Sequence, residues 1–160
     1  MADKPERREL TFHSLEDAVA DAERLASGEV RTTGKHIFAQ ILKHLALIHD
    51  MATGKIVGPR PPFFMRLMMP LMKGMILKGM ILKGPVKPGF KLPTAAESFF
   101  WPGGNTDVNE ALTHLKESVK NYNTNGPLPV HPVFGKVPHE QNDRLNISHC
   151  AMHLSFVYAV

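Results

Sequence analysis

The sequence predicts an all-α fold, a four-helix bundle forming a single domain over residues 1–160, and three observations predict it. Four segments carry apolar residues at helical spacing, bounded by capping or helix-breaking residues. Apolar residues make up 43% of the chain and charged residues 21%, an ordinary balance for a globular protein with a real core. A long Pro-, Gly- and Met-rich crossover insert, residues 55–104, separates the second helix from the third.

The first helix starts after Ser14, with Glu16 and Asp17 at the positive end of its dipole. Leu15, Ala18, Val19, Ala22, Leu25 and Ala26 form its apolar face, and Ser27-Gly28 ends it. Thr33 is the expected cap of a second helix running to about Thr53 and closed by Gly54. It is apolar on most sides, which suits a central, buried helix. Asn105 or Thr106 opens the third, with Val108, Ala111, Leu112, Leu115, Val119 and Tyr122 facing in. Gly126-Pro127 stops it. Pro138-His139-Glu140 begins a turn leading into the last helix, about Asp143 to Val160.

Eight of the thirteen prolines fall in the insert, as does a tandem Gly-Met-Ile-Leu-Lys repeat at 74–78 and 79–83. A short helix around Phe63 to Lys73, interrupted at Pro70, and an extended run from Pro85 to Pro93 are expected there. A structureless loop of this length is uncommon in a compact domain, so the insert is expected to pack as a crossover or lid. The net charge of +4 concentrates here: no acidic residue lies between Asp50 and Glu97, against eight Lys and Arg. Lys73, Lys78 and Lys83 among Met, Ile and Leu raise an anionic membrane surface as a rival partner. The five-residue period and the glycines at 74 and 79 argue against an amphipathic helix, so the lysines are expected simply to face solvent. Nucleic acid is not expected, because no binding motif accompanies the charge and aromatics sit only at its edges. No apolar run reaches the length of a membrane span, no secretory signal precedes the first helix, and the single cysteine forms no internal disulfide. A cytoplasmic protein is the expectation, with homodimerisation through the Met-rich segment.

The chemistry points to the histidines. His149 and His153 stand one turn apart on the last helix, about 40° apart around its axis, so both imidazoles can reach one cation. Leu145, Met152, Phe156 and Val160 share their stripe, which places the pair inward. Buried neutral imidazoles need partners, and a metal is one; a carbonyl or carboxylate is another. The zincin pattern is excluded, since Cys150 occupies the position of its general-base Glu. A third ligand from the second helix is either His44 or His49, which stand about 140° apart and cannot share a face. Both have apolar neighbours. His44 lies nearer the helix centre and is preferred; His49, beside Asp50, is the alternative, comfortable as an imidazolium without a metal. His36 and His114 are expected to be solvated, and His13, His131 and His139 to lie in caps and turns.

One His midway along the second helix and an H-x-x-x-H on the last helix of a bundle resembles the DinB-like (DinB/YfiT) metalloenzyme superfamily. Gly34-Lys35-His36-Ile37-Phe38-Ala39-Gln40-Ile41-Leu42-Lys43-His44-Leu45-Ala46 is similar to the first part of an uncharacterised branch of it. So are Pro88-Gly89-Phe90-Lys91-Leu92-Pro93, His131-Pro132-Val133-Phe134-Gly135-Lys136, and His149-Cys150-Ala151-Met152-His153-Leu154-Ser155-Phe156. Asn142 departs from that branch, which usually has Trp there. The resemblance implies a metal triad of His44, His149 and His153, and thiol-dependent transferase or isomerase chemistry like that of characterised relatives. Three imidazoles suit Zn²⁺, Ni²⁺, Mn²⁺ or Fe²⁺ and leave positions open for a substrate. The expected function is therefore a metal-dependent transferase or hydrolase acting on a small molecule, anionic or a low-molecular-weight thiol, with the basic insert lining its mouth. Asp50 and Glu97 are the acid/base candidates, and Cys150 is read as a small buried apolar residue. The alternative is a non-catalytic binding or assembly module whose histidines only satisfy core hydrogen bonds.

Overall fold

A computed structural model describes residues 6–82 and 93–160. Its architecture is mainly α, with six helices and two small antiparallel ribbons among the described residues. Helix α1 (Leu15–Ala26) starts where the sequence places it. The Ser14 hydroxyl accepts from the Asp17 amide at 3.1 Å, and the Asp17 carboxylate accepts from the Ser14 amide in return.

Strand β1 (Val30–Thr32) then precedes helix α2 (Phe38–Ala52) and displaces the expected start of that helix. Thr33 caps nothing. Its amide donates to the Phe156 carbonyl at 3.0 Å, continuing the pairing of β1 with strand β4 (Val157–Ala159). The β-branched residues Val30, Thr32, Thr33 and Val157 favour extended backbone, and a partner strand outweighs the local capping preference. The same pairing shortens the last helix. Phe156 and Val160 are therefore not on the histidine stripe, and that helix, α6 (His139–Leu154), begins at His139 rather than Asp143.

In the insert, helix α3 (Phe63–Leu82) continues through Pro70 and through the first copy of the repeat, farther than expected. Buried Met69 and Leu77 lie on the side opposite its exposed apolar residues, and the helix packs on α6. The expected extended run, apart from Pro93, lies outside the described residues. Helix α4 (Thr94–Phe100) follows, with Phe100 buried. Helix α5 (Val108–Asn125) is capped by Asp107, one residue past the expected cap, whose carboxylate accepts from the Asn109 and Glu110 amides. Gly126 ends it at φ +70, a left-handed conformation that glycine adopts without strain. A hairpin of β2 (Val130–His131) and β3 (Gly135–Lys136) leads into α6, and the Lys73 ammonium ties α3 to it through the Lys136 carbonyl.

The core is built by α1, α2, α5 and α6. Leu25, Leu42, Leu45, Leu115 and Leu154 are its largest fully enclosed aliphatic side chains, and β4 adds Val157. Helix α2 is central: it lies along α5 and also touches α6 and α4. This packing sets one face of α2 opposite the flank of α6 that carries the histidines.

Candidate metal centre

Helix α2 supplies His44, which is buried, while α6 supplies His149 and His153, both half-buried. Cys150, Ala151 and Leu154 anchor α6 in the interior, which leaves His149 and His153 on the adjoining flank, one turn apart. The three Nε2 atoms converge. His149 Nε2 lies 3.4 Å from His44 Nε2 and 3.0 Å from His153 Nε2. All three ligand atoms fall within 4.8 Å of one another, so the three histidines lie close enough to bind one metal ion.

The protonation pattern suits a cation. His44 Nδ1 lies 3.0 Å from the Phe100 carbonyl, which has no proton to give, so Nδ1 is the donor and Nε2 carries the lone pair. That outer hydrogen bond fixes both tautomer and ring orientation. Burial pushes the His149 pKa down to about 4. Burial, and then the neighbouring imidazoles, hold His44 and His153 well below the ordinary histidine range. All three rings are therefore neutral at pH 7. His149 Nε2 has one proton or one lone pair to share between two nitrogen neighbours, so hydrogen bonding alone cannot serve every contact; a cation accepts all three lone pairs. Two zinc-bound imidazole nitrogens in tetrahedral geometry are separated by about 3.3 Å, close to the spacings found here. The residues present thus fit a divalent transition metal.

Trp101 roofs the triad, a role the sequence did not suggest. Its ring stacks on His44 at 3.9 Å and 4°, and on its other face His36 stacks at 3.6 Å and 9°. His153 meets its edge at 5.3 Å. The insert therefore reaches the triad through α4 and the residue after it, with Phe100 supplying a carbonyl and Trp101 a ring. As the single tryptophan of the chain, next to Phe99-Phe100, Trp101 offered only its rarity as a signal. His36 is half-buried in this stack rather than solvated.

The other candidates lie apart. His49 is buried on a different face of α2, its Nε2 3.9 Å from Cys150 Sγ and its ring beside Tyr122. Burial, then the repulsion protonation would meet from His149, pushes its pKa down to about 3, so it is a neutral core residue rather than the imidazolium expected beside Asp50. Asp50 turns instead to α5. Its carboxylate accepts from His114 Nε2 at 2.7 Å and pairs with the Lys55 ammonium at 3.3 Å. His114, expected in solvent, is held there because its Nδ1 also faces Lys43 at 3.2 Å. Glu97 pairs at the surface with Lys35. Among the described residues, the metal-capable cluster contains neither carboxylate. Cys150 points away from the triad, and burial pushes its thiol up to about 12. Asn142 is buried, its amide donating to the Val137 carbonyl at 3.3 Å while its Oδ1 has no partner among the described residues. His131 accepts from the Val133 and Phe134 amides within its hairpin, and His139 opens α6 at the surface.

Neither the curated proteins nor the solved structures contain a match to this chain. A family model described as "Protein of unknown function (DUF1569)" matches residues 4–159, which takes in all three triad histidines and the whole helical core, and the chain therefore belongs to that family.

Proposed function

We propose that this chain is a DinB-like metal-dependent enzyme, its four-helix bundle formed by α1, α2, α5 and α6. In this reading His44, His149 and His153 hold a divalent Zn, Ni, Mn or Fe ion, and the reaction is a thiol-dependent transfer to or from a small molecule. The observation that carries it is the convergence of three neutral Nε2 atoms with no carboxylate in their cluster among the described residues. Neutral ligands leave a bound divalent ion its full charge, which favours an anionic partner such as a thiolate. Such an ion supplies Lewis acidity and lowers the pKa of a bound thiol. The chain's own residues do the positioning. His44 is oriented by the Phe100 carbonyl, Trp101 covers one side and excludes water, and the half-buried edges of His149 and His153 leave an approach for the substrate.

Cobalt substitution tests this reading. Adding a low-molecular-weight thiol to the Co²⁺-loaded protein is expected to produce an intense sulfur-to-metal charge-transfer band near the ultraviolet, saturating with thiol. A cobalt spectrum unmoved by a panel of such thiols would remove the thiol-dependent reading. A protein that takes up no cobalt would instead favour the non-catalytic module, whose histidines only hydrogen-bond.

A further inference from the structure

Helix α3 presents to solvent what a soluble helix normally hides. Phe63 is 80% exposed, Phe64 64%, Leu67 62%, Leu71 77% and Met75 67%. With Met68, these side chains fill an arc of about 140° on the helix surface, while Met69 and Leu77 on the other side are buried. A helix apolar on both sides is built for an apolar surrounding on both. Helix α6 provides one, and among the described residues no element covers the other.

The charge identifies what does. Lys78 is exposed within this face and Arg60 just before the helix, Arg66 is exposed on another flank of its first turn, and no acidic residue occurs from position 51 to position 96. A second copy paired through the same face would bring these cations together with no carboxylate from the segment to neutralise them. Residues 83–92 add Lys83, Lys87 and Lys91 and no acid, so their charge is equally mismatched to this face. An anionic bilayer answers both properties, with acyl chains for the Phe, Leu and Met side chains and headgroup phosphates for the cations. The helix does not cross the membrane: no helix among the described residues is long and apolar enough to do so. We propose that α3 is an in-plane membrane-docking helix that seats the protein on anionic phospholipid, with α6 behind it. This inference is independent of the metal reading.

Vesicle co-sedimentation of the full chain tests it, comparing phosphatidylcholine vesicles with vesicles containing about one third phosphatidylglycerol. Wild type is expected to pellet with the anionic vesicles and to be released by high salt. Leu71→Glu should weaken partition by at least about tenfold, and Lys78→Ala by about fivefold. Both side chains are exposed, and unchanged far-UV circular dichroism of each variant excludes unfolding as the cause. Three results would overturn the proposal: wild type left in the supernatant with anionic vesicles, equal partition to neutral ones, or no vesicle binding together with a dimer that Leu71→Glu dissociates. The last would assign the face to a second copy.

Discussion

Replacing His149 by alanine is expected to abolish stoichiometric metal binding, lowering affinity by at least about a hundredfold. His149 is the central member of the triad, its Nε2 within 3.4 Å of His44 Nε2 and 3.0 Å of His153 Nε2. Loss of an outer-shell partner alone typically costs ten- to about a hundredfold in affinity, so loss of the middle ligand should cost at least the upper figure. His49→Ala supplies the contrast. His49 faces Cys150 and Tyr122, so its removal should cost stability while leaving the metal content at one ion per chain. Elemental analysis of tag-free protein, followed by competition with a chelator, reads both. A wild-type chain that retains no divalent ion, or a His149→Ala chain that keeps it, would end the metal reading.

Stability of the metal-free protein should fall steeply as the pH drops from about 6.5 toward 4. His49 is 1% exposed, and burial pushes its pKa from 6.5 to about 3 in the folded state. His131 is likewise pushed down to about 4 by burial. In that window the unfolded chain binds a proton at each site and the folded chain does not. Acid therefore pulls toward the unfolded state, by about 1.4 kcal/mol per pH unit for each such histidine. Above pH 6.5 neither state binds the proton and the profile should flatten. Over two pH units His49 alone contributes about 3 kcal/mol, a large part of the stability of an ordinary domain. Urea unfolding at pH 7.5, 5.5 and 4.5 measures it. The slope should lessen in His49→Leu, and a wild-type profile level down to pH 4.5 would contradict the burial argument.

Much of this was legible in particular residues. The first helix announces both ends, because Ser14, Asp17 and Ser27 act on backbone groups within one turn. The His149/His153 pair is legible for the same reason, since a four-residue spacing on a helix sets two side chains one above the other whatever surrounds them. His44 and His49 were not separable in this way. Both have apolar neighbours on α2, so periodicity says that each faces protein without saying which face meets α6. Their separate surroundings came from packing. His44 falls beneath Trp101 and opposite α6's histidines, and His49 behind them against Cys150 and Tyr122.

Two of the misplaced boundaries, the start of α2 and the end of α6, share one physical cause. Strands β1 (Val30–Thr32) and β4 (Val157–Ala159) are three residues each and far apart in sequence, so neither has a local pattern strong enough to outweigh a helical one nearby. Only their pairing makes them strands, and it moved the start of α2 and the end of α6 together. The insert shows the same division. Its composition marked it as unusual and basic, and the Pro70 and glycine positions argued for a short or weak helix. Packing of Met69 and Leu77 accompanies twenty residues of helix and leaves a row of large apolar side chains in solvent. What short-range chemistry dictates was thus readable along the chain: caps, helical stripes, the ligand-type residues and the charge-segregated insert. Which histidines meet, what roofs them and which face of α3 remains uncovered depend on contacts between residues far apart in sequence, and those exist only once the helices have packed.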